Sequence, residues 1–248
     1  MRISFAIIGH NEEKLIEGCL ESVKDIAYEI IYADCESQDR SLNIAMKYTD
    51  KIFRVKNDLN LNVNKQFAID KCEGDWVFYI DPDERLTGEI KKEIMEVLNK
   101  TDFNGFLMPR RNYYFGKWLR YGGKYPDRQL RLFKKGKAKF ECLSIHERIK
   151  VEGKVGELKN PFDHIVIEDT DRLAQKIYSY IYRTSYEMDR LKIDNEKRLN
   201  KSIQRFFTNY FLKLGFFDGR VGFFVAIIDL FNGFLSYFKI KELKDNIK

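Results

Sequence analysis

The chain has 248 residues, 44% of them apolar and 33% charged, with a formal net charge of +6. That length supports one sizeable core with an appendage, the composition fits a folded soluble body, and the charge is too mild to argue by itself for nucleic acid. Its placement says more: thirteen Lys/Arg face four Asp/Glu between Asp102 and Lys150, and eight face four from Lys201 onward. Two basic zones suit anionic partners such as phosphates or lipid headgroups, or else form a solvated lysine-rich surface. The four cysteines (Cys19, Cys35, Cys72, Cys142) form no CxxC pair and are expected to stay reduced in a cytosolic compartment. The first residues run straight into a strand pattern, so a secretory signal is not expected, and no twenty residues are free of charge, which argues against a clear spanning helix.

Taken in chain order, ISFAII (3–8) is an Ile-rich apolar run that predicts a strand. After His10-Asn11-Glu12-Glu13, apolar residues Leu15, Ile16, Cys19, Leu20 and Val23 recur at helical spacing, with Asn11 as the expected N-cap. EIIYA (29–33) predicts a second strand that stops at Asp34. The polar loop CESQDRS leads into another helix, KIFRV (51–55) is a third strand, VNKQFAIDKC (63–72) a third helix and WVFYI (76–80) a fourth strand. Alternation of strand and helix with short connections predicts a parallel sheet covered on both faces. Ligands of such sheets bind at the carboxyl ends of the strands, where His10, Asn11, Asp34 and Asp81 are expected to gather. Past Lys100, GFLMPRR, YFGKWLRYGG, QLRLFKKGKAKF and RIKVEGKV read as short strands with Gly turns, and helical spacing returns near Asp171.

The fourth strand runs into "DPDERLT". If the extended backbone continues, Asp81 and Asp83 point to the same side, roughly 6–7 Å apart, with Pro82 stiffening the step. Two carboxylates facing one way repel, and a hard divalent cation, Mg²⁺ or Mn²⁺, relieves that repulsion. The competing reading is an Asp-Pro turn that starts the helix after Thr87.

The strings ISFAIIGHNEE, EIIYADCESQD, NKQFAIDKCEGDWVFYIDPDE, KWLRYGGKYPDRQLRLF, IHERI and LGFFDGRVGF, in this order over nearly the whole chain, resemble a family 2 inverting glycosyltransferase of the GT-A fold. Within that family the resemblance is to bacterial lipopolysaccharide and lipooligosaccharide core enzymes of the β-1,4-glucosyltransferase group. Two departures stand out: Cys35-Glu36, where the family more often carries small or hydroxyl residues, and Pro82, where it usually carries a small one. The resemblance implies an α/β, Rossmann-like GT-A domain over 1–170, with a nucleotide-sugar half (1–100) and an acceptor half (101–170). A helical, aromatic-rich extension follows over 171–248.

It also implies transfer of a sugar from a nucleoside diphosphate sugar to a glycan or lipid-linked acceptor. Asn11, Glu12 and Asp34 are then expected at the nucleoside, with Asp34 accepting from a base imide N–H and Glu12 from a ribose hydroxyl. Capping of the first helix competes for Asn11 and Glu12. Lys65 is expected at the diphosphate, or is an ordinary helix lysine. Asp83 is the expected ligand of a divalent metal, supported by Asp81, with His164 as a late ligand and His146 second to it; a lone histidine is more often structural. Asp127 of "YPDRQLRLF" is the candidate base, with Leu130 and Arg131 at matching offsets, and Glu147 of "HER" is its rival. The alternative for Asp127 is an ion pair with Arg128 or Arg131. Arg131, Arg110 and Arg111 offer guanidinium forks for phosphate oxygens, or are surface arginines.

From Phe206 to Phe238 aromatic pairs recur at 206–207, 216–217, 223–224 and 237–238, with Lys239, Lys241 and Lys244 following. Amphipathic helices lying at a cytoplasmic membrane surface fit this pattern; a helix pair packed on the catalytic body, or a homo-oligomer interface through the extension, is the alternative. Nucleic acid is not an expected partner. Two other classes compete with sugar transfer. A nucleotidyltransferase would favour a Gly-rich basic loop after the first strand, where GHNEEK has one Gly and two acids. A non-catalytic, membrane-bound nucleotide-sugar-binding module would bind donor without turnover.

Overall fold

The computed structural model describes residues 1–145, 147–190 and 195–245; His146 lies outside them. The chain forms two compact units, residues 1–110 with 128–164, and residues 111–127 with 165–248.

The first unit opens with alternating strands and helices: β1 (Ile3–Gly9), α1 (Ile16–Val23), β2 (Glu29–Asp34), α2 (Ser41–Ala45), β3 (Ile52–Arg54), α3 (Leu61–Asp70) and β4 (Trp76–Tyr79). After β5 (Glu84–Arg85) and α4 (Gly88–Leu98) come β6 (Gly105–Tyr114), β7 (Lys117–Trp118), β8 (Asp127–Lys134), β9 (Ala138–Lys139), β10 (Lys150–Val151), β11 (Val155–Glu157) and β12 (Phe162–Ile167). The main sheet has the order β3-β2-β1-β4-β8-β6-β12-β5. Strands β3, β2, β1 and β4 are parallel, and β8 joins β4 antiparallel. The alternating half of the sequence thus builds the parallel half of a mixed sheet. β1, β2 and β4 are buried along their whole lengths, as continuous apolar runs covered on both faces must be.

Two cores flank this sheet. One gathers Phe5, Ile7, Ile16, Leu20, Phe78, Ile90 and Phe106 around α1 and α4; the other gathers Ile8, Ala68, Ile69, Tyr79 and Phe133 beneath α3. α3 begins at Leu61, two residues earlier than its apolar spacing predicts. Asn60 is the N-cap, its side chain accepting from the Asn62 amide, which satisfies one of the orphan donors of the first turn. Thr87 does the same for α4.

In the second unit α5 (Thr170–Arg190) and α6 (Asn195–Phe207) pack on α7 (Gly219–Asp245). Between α6 and α7 lie a π-helical turn (Thr208–Leu212) and a short 3₁₀ turn (Gly215–Asp218). The stretch Gly215–Leu243 is long and apolar enough to cross a membrane, by length and composition. A search for twenty uncharged residues passes it over because Asp218, Arg220, Asp229 and Lys239 interrupt it; Asp229 is paired with Lys124 at 2.7 Å.

Candidate active site

β1 and β2 end in register, Gly9 opposite Asp34, so the loops that follow them emerge together. They are laced to each other. The Asn11 amide donates to Ser37 Oγ (3.1 Å), Gln38 N donates to Asn11 Oδ1 (2.8 Å), and Glu12 N donates to Ser41 Oγ (2.7 Å). Asn11 has a left-handed backbone, φ +55°, which Asn tolerates better than most residues. It is therefore not the cap of α1, which starts five residues later with Leu15 in the cap position; its side chain fastens the second loop instead. Gly9 is fixed by packing, since a Cβ there would sit 2.5 Å from the Tyr32 hydroxyl.

Asp34, at the end of β2, is buried. Ser37 N donates to its Oδ2 at 3.2 Å, while Oδ1 is buried with no hydrogen-bond partner among the described residues. An orphan acceptor of that kind costs about 1–3 kcal/mol and is unusual enough to require a reason.

β4 ends on the same side of the sheet as β1 and β2. The backbone does not stay extended past Ile80, which corrects the expectation of Asp81 and Asp83 as alternate residues of one strand. Glu84 N donates to Asp81 O at 2.9 Å, closing a turn with Pro82 in its second position, where the fixed φ of proline is favoured. The turn sends the carboxylates to different partners. Asp81 pairs with Lys65 of α3 and Arg131 of β8, both at 2.8 Å. Glu84 is fully buried and pairs with Arg131 at 2.5 Å and Arg110 of β6 at 2.9 Å; its Oε2 also accepts from the Asp81 amide at 3.1 Å. Arg131 bridges the two carboxylates while lying over the Tyr79 ring. Burial pushes the Asp81 carboxyl up, but Lys65 and Arg131 outweigh it and hold Asp81 well below the usual carboxylate range. Burial likewise works against the Arg131 charge, and Glu84, Tyr79 and Asp81 overcome it, raising the guanidinium well above its ordinary value.

Asp83, at the tip of the turn, has its Oδ2 3.5 Å from His164 Nε2. β5 and β12 pair antiparallel with Glu84 opposite His164, so a two-residue ladder brings this late histidine to the turn. Arg85 staples the turn from beneath: its guanidinium donates to Pro82 O (2.7 Å), Glu84 O (2.7 Å) and Leu15 O (2.5 Å). Gly18 of α1 makes room for it, as a Cβ there would meet Arg85 Nε at 2.6 Å.

The other anticipated residues have partners of their own. Glu147 accepts from three backbone amides, Cys142 N (2.6 Å), Leu143 N (2.8 Å) and Ser144 N (3.3 Å), and so braces its own loop. Asp127 opens β8 and belongs to the second unit, where Asn112 Nδ2 donates to its Oδ2 at 3.2 Å. The two arginines considered as its ion-pair partners bind other carboxylates: Arg131 binds Asp81 and Glu84, and Arg128 pairs with Glu157 at 3.3 Å. Arg111 lies over the Trp118 ring. Glu84 and Arg85 escaped the sequence reading. The signal for Glu84 was available: in an Asp-Pro turn closing on the fourth residue, Glu84 is the residue that closes it.

The profile of glycosyl transferase family 2 matches residues 4–152. An uncharacterized glycosyltransferase of Rickettsia typhi is 28% identical over 260 residues, covering 98% of this chain and 87% of the relative. The lipopolysaccharide core biosynthesis glycosyltransferase LpsC of Rhizobium meliloti is 32% identical over 163 residues, covering 63% of this chain and 60% of LpsC. Among solved structures, S. aureus TarS 1–349 in complex with UDP aligns over 100% of this chain and 92% of that one, with TM-score 0.53 at 12% identity.

Proposed function

The chain belongs to glycosyl transferase family 2, with the GT-A fold, and from that premise we propose that it moves a hexose from a UDP-sugar to a hydroxyl of a glycan or lipid-linked acceptor, with inversion. The carrying observation is the buried, unpartnered Oδ1 of Asp34, on the same sheet edge as the Asp81–Glu84 turn. A uracil imide N–H is one donor that would satisfy that acceptor. TarS, of the same fold, has been solved with UDP and with UDP-GlcNAc, and LpsC carries the precedent for lipopolysaccharide core synthesis.

In this reading Asn11 holds the nucleoside loop in shape, Glu12 takes a ribose hydroxyl, and Lys65 and Arg131 face the diphosphate. The charges of the named side chains bear on the metal. Lys65, Arg110 and Arg131 are held by Asp81 and Glu84, and Arg85 by backbone carbonyls, so a diphosphate leaving group calls for further positive charge. A divalent cation supplies it when bound, neutralising charge on the departing phosphate oxygens. Asp83 and His164 would hold Mg²⁺ or Mn²⁺: one carboxylate and one imidazole already face each other, and such ions take few protein ligands beside substrate phosphates. Asp81, committed to two cations, would support from the side. Asp127 is the proposed base that removes the acceptor proton; Glu147, whose oxygens are spent on backbone amides, is assigned to loop structure.

Titration of UDP by calorimetry, with and without Mn²⁺, tests the core of this reading. The wild type should bind more tightly with Mn²⁺, and Asp83→Ala should lose that gain, about 10–100-fold in affinity. Equal Mn²⁺-dependent affinity in the two proteins would remove the metal assignment.

We also propose that the 171–248 extension rests on the cytoplasmic face of the membrane. Phe207, Phe211, Leu212, Phe217 and Phe223 are exposed, and ring contacts among Phe206, Phe207, Tyr210, Phe211, Phe216 and Phe223 make them one aromatic surface. An apolar patch beside Arg205, Lys213 and Arg220 suits an anionic bilayer. Replacing Phe207, Phe211 and Leu212 together by Ser should release the protein from anionic vesicles in co-sedimentation. Persistence on vesicles after that change would exclude this surface, and a monomer–dimer shift without vesicles would favour a homo-oligomer interface.

A further inference from the structure

The second unit contains a built feature that membrane attachment does not require. Asp218 is 4% exposed, and its carboxylate accepts from the backbone amides of Arg120 (3.1 Å) and Tyr121 (2.9 Å). Its own carbonyl accepts from Lys117 Nζ at 2.5 Å. Next along the same loop, Gly122 N donates to Lys213 O at 2.9 Å, and Lys124 pairs with Asp229. The two segments meet glycine to glycine, since a Cβ on Gly215 would lie 3.3 Å from Gly122 Cα. The string LGFFDGRVGF therefore grips the loop 117–124 through its backbone. Burying a carboxylate is costly unless its oxygens are satisfied, and here those oxygens are satisfied by the amides of one loop.

What that loop leads to is Asp127. Asn112, buried on β6, sits against the loop's other side: its carbonyl accepts from Leu119 N at 3.0 Å, and its Nδ2 donates both to Lys124 O at 2.9 Å and to Asp127 Oδ2 at 3.2 Å. One side chain thus ties the gripped loop to the candidate base. We infer that the segment 213–229 is a positioning device for Asp127, with Asp218 holding the loop and Asn112 passing that hold to the carboxylate. The inference rests on the reading of Asp127 as base. Its force comes from geometry, because a displacement of about 1 Å at a reacting group costs on the order of 10²-fold in rate.

The test uses the full-length protein in detergent, so that membrane attachment plays no part. UDP release is followed from UDP-glucose, UDP-galactose and UDP-N-acetylglucosamine with lipid-linked glycans extracted from bacterial membranes, for Asp218→Ala, Asn112→Ala and Asp127→Asn, singly and combined. Each of the first two should lower kcat at least about 10-fold with the donor KM within about twofold, and should have no further effect in the Asp127→Asn background, as expected for residues acting through one group. Amide exchange of residues 117–127 should rise in Asp218→Ala. An unchanged kcat, or an equal loss with and without Asp127, would overturn the inference; the second result would mean a general loss of structure. Should Asp218→Ala fail to fold, Asp218→Asn, which keeps an acceptor oxygen, and Asn112→Ala carry the same comparison. No UDP release from the wild type with any donor would instead remove the sugar-transfer reading, and this inference with it.

Discussion

Asp127→Asn should leave UDP binding within about twofold of wild type and reduce transfer by about 10²–10⁴-fold, the range for loss of a general base. The substitution keeps an oxygen that can accept from Asn112 Nδ2, so the contact at 3.2 Å survives while the proton affinity of the carboxylate is lost. Donor binding by calorimetry and turnover with the glycan extract separate the two effects. Glu147→Gln is the control. Its carboxylate accepts from three backbone amides, so its loss should loosen the 142–147 loop and lower the melting temperature, with a smaller effect on turnover. If Glu147→Gln abolishes transfer while Asp127→Asn does not, the base assignment reverses.

Arg131→Met is expected to cost about 3–5 kcal/mol, the penalty for breaking a buried ion pair from one side. Arg131 and Glu84 have side chains 4% and 0% exposed, so water cannot replace the guanidinium, and Glu84 and Asp81 each lose one of two cations at once, keeping Arg110 and Lys65. Lys65→Met should cost less, because Lys65 is more accessible and Asp81 keeps Arg131. Urea denaturation of the two variants gives the comparison; a smaller loss for Arg131→Met than for Lys65→Met would show that the bridge is not the anchor of the cluster. The pH dependence has a defined sign. Asp81 is held below its ordinary range, so its stabilising contribution is complete above its unfolded value, roughly pH 4, and is lost as pH falls toward the folded one.

Much of this was legible from residues alone, for reasons that differ by element. β1, β2 and β4 were readable because strands buried on both faces are written as unbroken apolar runs, and Asp34 stood out as the first polar residue after one of them. The strand ends also told where a ligand goes in an open α/β sheet. The cluster around Glu84 was not legible, because its partners Arg110 and Arg131 come from strands beyond residue 100 whose place beside β4 depends on long-range pairing. Nor was the course of the chain through Pro82 decided locally: the extended and turned readings both fit the residues, and the hydrogen bond from Glu84 N to Asp81 O chooses between them. The C-terminal aromatics were conspicuous as composition, but composition could not reveal that Asp218, among them, faces inward to bind loop amides.

The ladder that carries His164 has a consequence of its own. It consists of two pairings, Asp163 opposite Arg85 and His164 opposite Glu84, and side chains on a strand alternate between faces. Lengthening the 158–161 connection by one residue while the strand backbone stays in place would slide Asp163 into the place of His164 and exchange a nitrogen donor for an oxygen one. If Asp83 and the residue in that place hold the proposed cation, loop length helps to set ion preference, and a single-codon insertion there would be a route to retuning it toward harder cations.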